Sequence, residues 1–353
     1  MLKKKIPLMF ILLLLFVLTA CNASDEGEKD NGSNQNPVPE EKDNEDGKDE
    51  EIVETDPYQF PLTGIGMQDE STQRAVAAMI SNQPPARPQT GLSKADVVYE
   101  ILAEGSITRF LAIYQSDLPE NIGPIRSARD YFIDISQGYD SVYIAHGYSP
   151  EAKKMLNSGK YDHLNGIRYD GSLFKRASFR NAPHNSYITF QNIEKGANDE
   201  GFSLSGAPKP MAFLSEDDVA NLTGENGAEL TIKYSSNNNQ LNAEYKFNAQ
   251  TGKYERYSGG VKTAELDSNI PVLIDNIIVV ETTHRIIDSK GRRDIDLSSG
   301  GKALLFQKGK VKEVEWKNES GRLVPYEGGQ PAKLVPGKTW FNVVPDMNIV
   351  SYQ

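Results

Sequence analysis

The folded part of this chain, residues 57–353, is predicted to be an α/β (α+β) protein, with a mixed N-terminal domain followed by a mostly antiparallel β domain. Three observations predict it. Residues 58–222 interleave helix-capping signals with β-rich runs, whereas residues 228–351 are strand after strand broken by Gly and Asn turns. About 297 residues remain after the N-terminal segment, enough for two domains or one large one. The whole chain has a single cysteine, so the fold must be held by core burial without an internal disulfide.

The chain opens Met-Leu-Lys-Lys-Lys and continues in an apolar run from Ile6 to Leu18. A basic start and a short apolar core make an export signal, and the run is shorter than the ~20 residues that span a bilayer. It ends Leu18-Thr19-Ala20-Cys21, which resembles the lipobox of bacterial lipoproteins, where the cysteine thiol is lipidated and becomes the first mature residue. Residues 1–21 are therefore expected to be a lipoprotein signal peptide and Cys21 the lipid attachment point. Residues 22–56 hold fourteen acids, three lysines and almost no large apolar side chain. Such a segment buries too little surface to offset its ordering entropy, and it is expected to be a disordered acidic tether. Its net charge of −11 equals that of the whole chain, so the acidity says nothing about the partners of the folded part.

In the domain expected over 57–225, Val97–Ala103 and Ile107–Tyr114 read as a hairpin joined at Glu104-Gly105-Ser106, although the first run also fits a helix with a Ser93–Asp96 capping box, a face of Val97, Val98, Ile101 and Leu102 and a stop at Gly105; the strand is favoured. Arg126–Gln137 reads as a helix capped by Ser127 and stopped by Gly138. Ser141–Ala145 is a short apolar strand. Ser149-Pro150-Glu151 opens a second helix with a capping serine, proline in the first turn and an acid beside it. Thr189–Glu200 and Glu216–Leu222 are further helices. In the domain expected over 226–353, strands are read at Glu229–Tyr234, Asn242–Phe247, Lys253–Tyr257, Val272–Glu281, Lys302–Gln307, Lys310–Trp316, Trp340–Val344 and Asn348–Tyr352. Val272–Glu281 is the most apolar and is expected at the centre of a sheet, buried on both faces. Lys308-Gly309 is a two-residue hairpin signal. Trp316 and Trp340 are expected to be buried.

Common catalytic signatures are absent: there is no phosphate-binding glycine loop, His-Glu-x-x-His or nucleophile elbow. Ser299-Gly-Gly-Lys302 lies in a glycine-rich turn and reads as a turn. Glu100 and Glu104 on one strand would share a face about 13 Å apart, too far for a glycosidase pair. His146, His163 and His184 lack the short spacing of metal ligands, so no metal is expected, and nothing calls for a cofactor or nucleic acid. What remains is a polar constellation. Arg126, Ser127 and Arg129 surround an expected helix N-terminus, whose free N–H groups favour an anion, and guanidinium groups recognise phosphate or carboxylate bidentately. His184 and Asn185 could face them across a cleft. Glu100, Glu104, Arg109, His146, Arg176 and Arg180 form a second tier that reaches the site or braces it.

These same stretches carry a family resemblance. Leu92–Glu100 (LSKADVVYE), Gly105–Phe110 (GSITRF), Ile122–Arg129 (IGPIRSAR), Pro183–Asn185 (PHN), Gly291–Asp296 (GRRDID) and Pro336–Trp340 (PGKTW) resemble the YerB-like lipoproteins of Gram-positive bacteria, a family of unknown function with N- and C-terminal parts. The resemblance covers about residues 58–351. It implies a layered, sandwich-like α/β fold and a surface location, and it transfers no catalytic residue. Two functions stay open. One is a membrane-anchored, extracytoplasmic binding or scaffold lipoprotein for an anionic cell-wall polymer or an envelope protein. The other is a cell-wall or phosphate-ester hydrolase using His184 or His146 with an arginine clamp. The oligomeric state is left open.

Overall fold

A twelve-stranded mixed sheet organises residues 56–353, the residues that the computed structural model describes. In chain order its main strands are β1 (Val76–Ser81), β2 (Val97–Glu104), β3 (Ile107–Tyr114), β4 (Val142–Ala145), β5 (His163–Asn165), β6 (Asn276–Glu281), β7 (Gly301–Gln307), β8 (Lys310–Glu319), β9 (Arg322–Glu327), β10 (Gln330–Pro331) and β11 (Thr339–Val344). Across the sheet they run β10-β9-β8-β7-β6-β11-β2-β3-β1-β4-β5. The pairs β6–β11, β11–β2, β1–β4 and β4–β5 are parallel, and the other neighbours are antiparallel. Cys21 and residues 22–55 lie outside the described residues.

Strands β1, β2, β3, β4, β6 and β11 are buried almost along their whole length because both sides of the sheet are covered there. One face, with Val97, Tyr99, Ile101, Leu111 and Ile113, packs under α1 (Asp130–Gly138) and α2 (Pro150–Leu156) through Tyr131, Phe132, Ile135, Ala152 and Leu156. The other, with Val98, Leu102, Phe110 and Ala112, packs against a six-stranded antiparallel sheet through Leu230, Ile232, Tyr245 and Tyr254. The same face takes Ile193, which lies on one of the three later helices, α3 (Gly166–Tyr169), α4 (Phe190–Glu200) and α5 (Glu216–Ala220). The observed class is thus strand-dominated, with several mostly antiparallel sheets and few helices. Against the expected layered, sandwich-like α/β N-terminal domain, the helices are few and short, and much of the cover on the central sheet is itself sheet.

The boundary expected at 225/226 does not separate two cores. Strand β11, from the end of the chain, lies parallel between β6 and β2, with Trp340 opposite Val98 and Asn342 opposite Glu100. The described residues, 56–353, accordingly lie in one compact unit.

Most elements fall where the sequence places them. The hairpin β2–β3 turns at Gly105, with φ +56°, and β7–β8 turns at Lys308 and Gly309, both with positive φ. Ser149 caps α2, its Oγ accepting from the Ala152 N–H at 3.1 Å. Trp316 and Trp340 are each 1% exposed.

Two readings change. The helix expected from Arg126 begins only at Asp130, and Ser127 does not cap it; Arg129 occupies the cap position without a side-chain bond. The backbone of 126–128 is extended because Arg126 N donates to the Met79 carbonyl and Ala128 N to the Gly147 carbonyl. The run Val272–Glu281 splits at Asp275. Leu273–Ile274 joins the six-stranded sheet and Asn276–Glu281 becomes β6, buried between β7 and β11. Buried Asp275 makes the break, its carboxylate accepting from Lys338 N and pairing with Lys253.

Candidate functional site

Strands β1, β2, β4 and β5 point the same way, so their carboxyl ends, at Ser81, Glu104, Ala145 and Asn165, lie along one edge of the sheet. Ligands of open sheets bind at such edges. The polar residues singled out in the sequence gather here, but in three separate groups.

The first group is Arg126, Ser127 and His184. Arg126 is fixed at its backbone, with N donating to Met79 O at 2.8 Å and O accepting from His146 N at 2.9 Å. Its Nη1 donates to the Pro183 carbonyl at 3.0 Å, which brings the two predicted segments into contact. Among the described residues no carboxylate lies within ion-pair distance of Arg126, although burial and neighbouring Arg109 lower its pKa to about 10. The His184 Nδ1 lies 3.4 Å from the Ser81 hydroxyl. Burial, then the charges of Arg126 and Arg180, hold its pKa below the usual histidine value. Ser127 Oγ donates to the His146 carbonyl at 3.1 Å. Arg126, Ser127, His184 and Asn185 are all partly exposed.

The second group joins His146, Arg176 and Asn185. Arg176 forks onto Asp170 at 2.9–3.2 Å, donates to Asn185 Oδ1 at 3.1 Å and donates to His146 Nε2 at 2.9 Å. Guanidinium has no acceptor, so Nε2 must accept, and the His146 proton sits on Nδ1, where it donates to Ser186 Oγ at 2.7 Å. The ring is neutral in this arrangement. Burial, then Arg176, keep its pKa low.

The third group is a brace. Arg109 pairs with Glu104 at 2.8 Å, Arg129 pairs with the same carboxylate, and both guanidiniums are buried. Arg109 also donates to the Ser127 carbonyl at 2.6 Å and so supports the first group from behind. Arg129 is thus no partner of Arg126 in a shared clamp, contrary to expectation. Nor is Arg180 a free ligand: it donates to the carbonyls of Pro85, Arg87 and Pro88 and lies 5.6 Å from the ring of Phe179.

Glu100 is removed from the site altogether. A register shift between Leu102 and Glu104 ends the simple alternation, so the two glutamates do not share a face as expected. Glu100 is fully buried and accepts from Arg256 at 2.8–3.1 Å, from Asn82 and Thr108, and from Trp340 Nε1 at 3.3 Å. The sequence reading missed Arg256, Asp170, Ser186 and Phe179. Arg256 alone left a signal, since it alternates with Tyr254 and Ser258 along a strand and shares their buried face. Asp170 and Ser186 reach the site only through loop geometry. Among the described residues no group of three His, Cys, Asp or Glu side chains is arranged for a metal.

Fold and site together define a strand-dominated protein with a cationic, histidine-bearing patch at a strand-end edge. Two family descriptions match it, "Protein of unknown function (DUF3048) N-terminal domain" over residues 62–203 and "Protein of unknown function (DUF3048) C-terminal domain" over 230–341. The chain is 49% identical over 292 residues to the Bacillus subtilis (strain 168) protein named "Putative lipoprotein YerB", covering 82% of this chain and 87% of that one. The crystal structure of YerB protein from Bacillus subtilis is similar with a TM-score of 0.78 at 47% identity, over 84% of this chain and 99% of that chain. The chain belongs to this family of proteins of unknown function.

Proposed function

We propose that the protein is held on the extracytoplasmic face of the cell membrane by lipid on Cys21 and binds an anionic ligand of the envelope at the Arg126–His184 patch. The single observation that carries the binding reading is Arg126. It is a half-buried guanidinium fixed by its backbone, held by one carbonyl, and faced by no carboxylate among the described residues. A phosphate or carboxylate would supply the missing counter-charge bidentately. The anchoring reading rests on the basic start, the short apolar run and the Leu-Thr-Ala-Cys sequence, and agrees with the lipoprotein name of the relative.

Binding has more support than hydrolysis. Both His146 nitrogens are engaged, by Ser186 and Arg176, and Ser186 and Ser81 are 1% and 2% exposed, so neither hydroxyl is placed to attack a substrate. No carboxylate orients either ring among the described residues. Two measurements test the proposal. Inorganic phosphate titrated into residues 57–353 and followed through the histidine NMR signals should bind. Arg126→Ala should weaken it roughly ten- to a hundredfold, the loss of one charged hydrogen bond. No phosphate binding by the wild type would overturn the site. For the anchor, Cys21→Ala should abolish lipid labelling and release the protein from membranes; tight retention after a salt wash would refute it.

A further inference from the structure

The loop between the strands Phe174–Arg176 and Ser186–Thr189 carries a feature that binding a bare anion leaves unused. Its ends are tied by Ala177 N donating to Asn185 O at 2.8 Å, and His184 N donates to Asn181 O at 2.9 Å. Phe179 in this loop is 64% exposed. The ring is nonetheless held in place. The Arg180 guanidinium lies 5.6 Å from its centroid, and Tyr187 is tilted against it at 6.0 Å. Arg180 is itself fixed by the carbonyls of Pro85, Arg87 and Pro88. Tyr187 is buried over Gly123, where an added Cβ would stand 2.5 Å from the ring. A single exposed aromatic is ordinary. Here a supported aromatic shares one closed loop with His184 and Asn185, and the far limb of that loop is held by Arg126 through Pro183.

We propose that the loop 177–185 recognises a glycosyl phosphate, its sugar ring stacked on Phe179 and its phosphate held by Arg126 and His184. This rests on the anion-site reading and names its ligand class. The apolar C–H face of a pyranose suits a single presented ring. Ser178, Asn181 and Asn185 supply uncharged hydrogen-bonding groups of the kind hydroxyls need, and Arg126 without a carboxylate supplies the complementary charge.

The test compares inorganic phosphate, glucose 1-phosphate and adenosine monophosphate on residues 57–353, which form a compact unit with its own core. Glucose 1-phosphate should bind roughly three- to tenfold tighter than inorganic phosphate. Phe179→Ala should erase that advantage while leaving inorganic phosphate affinity and the melting temperature unchanged, and Phe179→Trp should keep it. Equal affinity for both anions would overturn the sugar contact yet leave the anion site standing. Absence of binding by either would overturn the anion site and this inference together. Tighter, Phe179-dependent binding of adenosine monophosphate would overturn the sugar assignment. A free sugar phosphate and a wall polymer share the glycosyl phosphate, and a poly(glycosyl phosphate) chain as a further arm distinguishes them: per-residue affinity above that of the monomer assigns the polymer, and equal affinity assigns the free sugar phosphate.

Discussion

Glu100 and Arg256 stand 156 residues apart in sequence and meet in the interior, where neither side chain is more than 1% exposed. Arg256 also lies 5.3 Å from the Trp340 ring and 5.1 Å from Phe110, and its remaining donors reach Ser258 and Thr263. Breaking one partner of such a pair strands a charge in low dielectric. Arg256→Met should therefore cost about 3–5 kcal/mol in urea unfolding, and a loss below about 1 kcal/mol would show that water reaches Glu100 in the folded protein. A second residue-scale effect is acid sensitivity. Among the described residues His284 has no hydrogen-bond partner on either ring nitrogen, and burial, then Arg293, lower its pKa to about 3. A histidine whose folded pKa lies below its unfolded value of about 6.5 binds fewer protons in the folded state. Its contribution is therefore fully present above that value and is lost as pH falls through it, the loss continuing down to the folded pKa. His146 and His184 are shifted the same way and add to it. Between pH 7 and pH 5 His284 should cost about 2 kcal/mol, and His284→Phe should flatten that part of the stability profile. An unchanged profile in the variant would show that His284 protonates freely in the folded protein.

Among elements, the two helices on one face of the main sheet show what a local signal can and cannot do. α2 is specified by its own first turn, with Ser149 at the cap, Pro150 next and Glu151 following. Ser149→Ala should cost about 1 kcal/mol by chemical unfolding, since Ala152 N loses its acceptor in a buried position. A neutral result would mean that packing alone sets the helix start. α1 has an equally plausible local start at Ser127, yet begins at Asp130. Hydrogen bonds to Met79 and Gly147 pull residues 126–128 into the edge of the sheet. That same capture fixes Arg126 at the strand-end edge instead of on a helix, so the element boundary and the site geometry have one cause.

At the scale of the whole molecule, the sheet is continuous because the last long strand returns to its middle. β11 supplies one neighbour to β2, from the first half, and one to β6, from the second. Removing it would expose the edge and both faces of the most buried strands, including Tyr99 stacked on Phe341 at 4.4 Å and Phe110 against Trp340 at 5.1 Å. Residues 57–225 expressed alone should accordingly show no cooperative thermal transition, whereas residues 57–353 should unfold in one. A fragment with its own sharp transition would mean that the first half holds a sufficient core without β11.

The sequence by itself determined the hairpins β2–β3 and β7–β8, the capped helix α2, the helix α4 and the burial of both tryptophans. Each rests on spacing or turn chemistry contained in a few adjacent residues. It also picked out the polar stretches around Arg126 and His184. Only the tertiary structure decided how those residues divide. Arg129 and Arg109 share the Glu104 carboxylate, Arg180 is spent on carbonyls, Glu100 is drawn inside by Arg256, and Arg126 is left facing the loop of His184 and Phe179. The physical reason is that a charged side chain is settled by whichever partner the fold brings within about 3–4 Å, and those partners are 5 to 156 residues away in the chain.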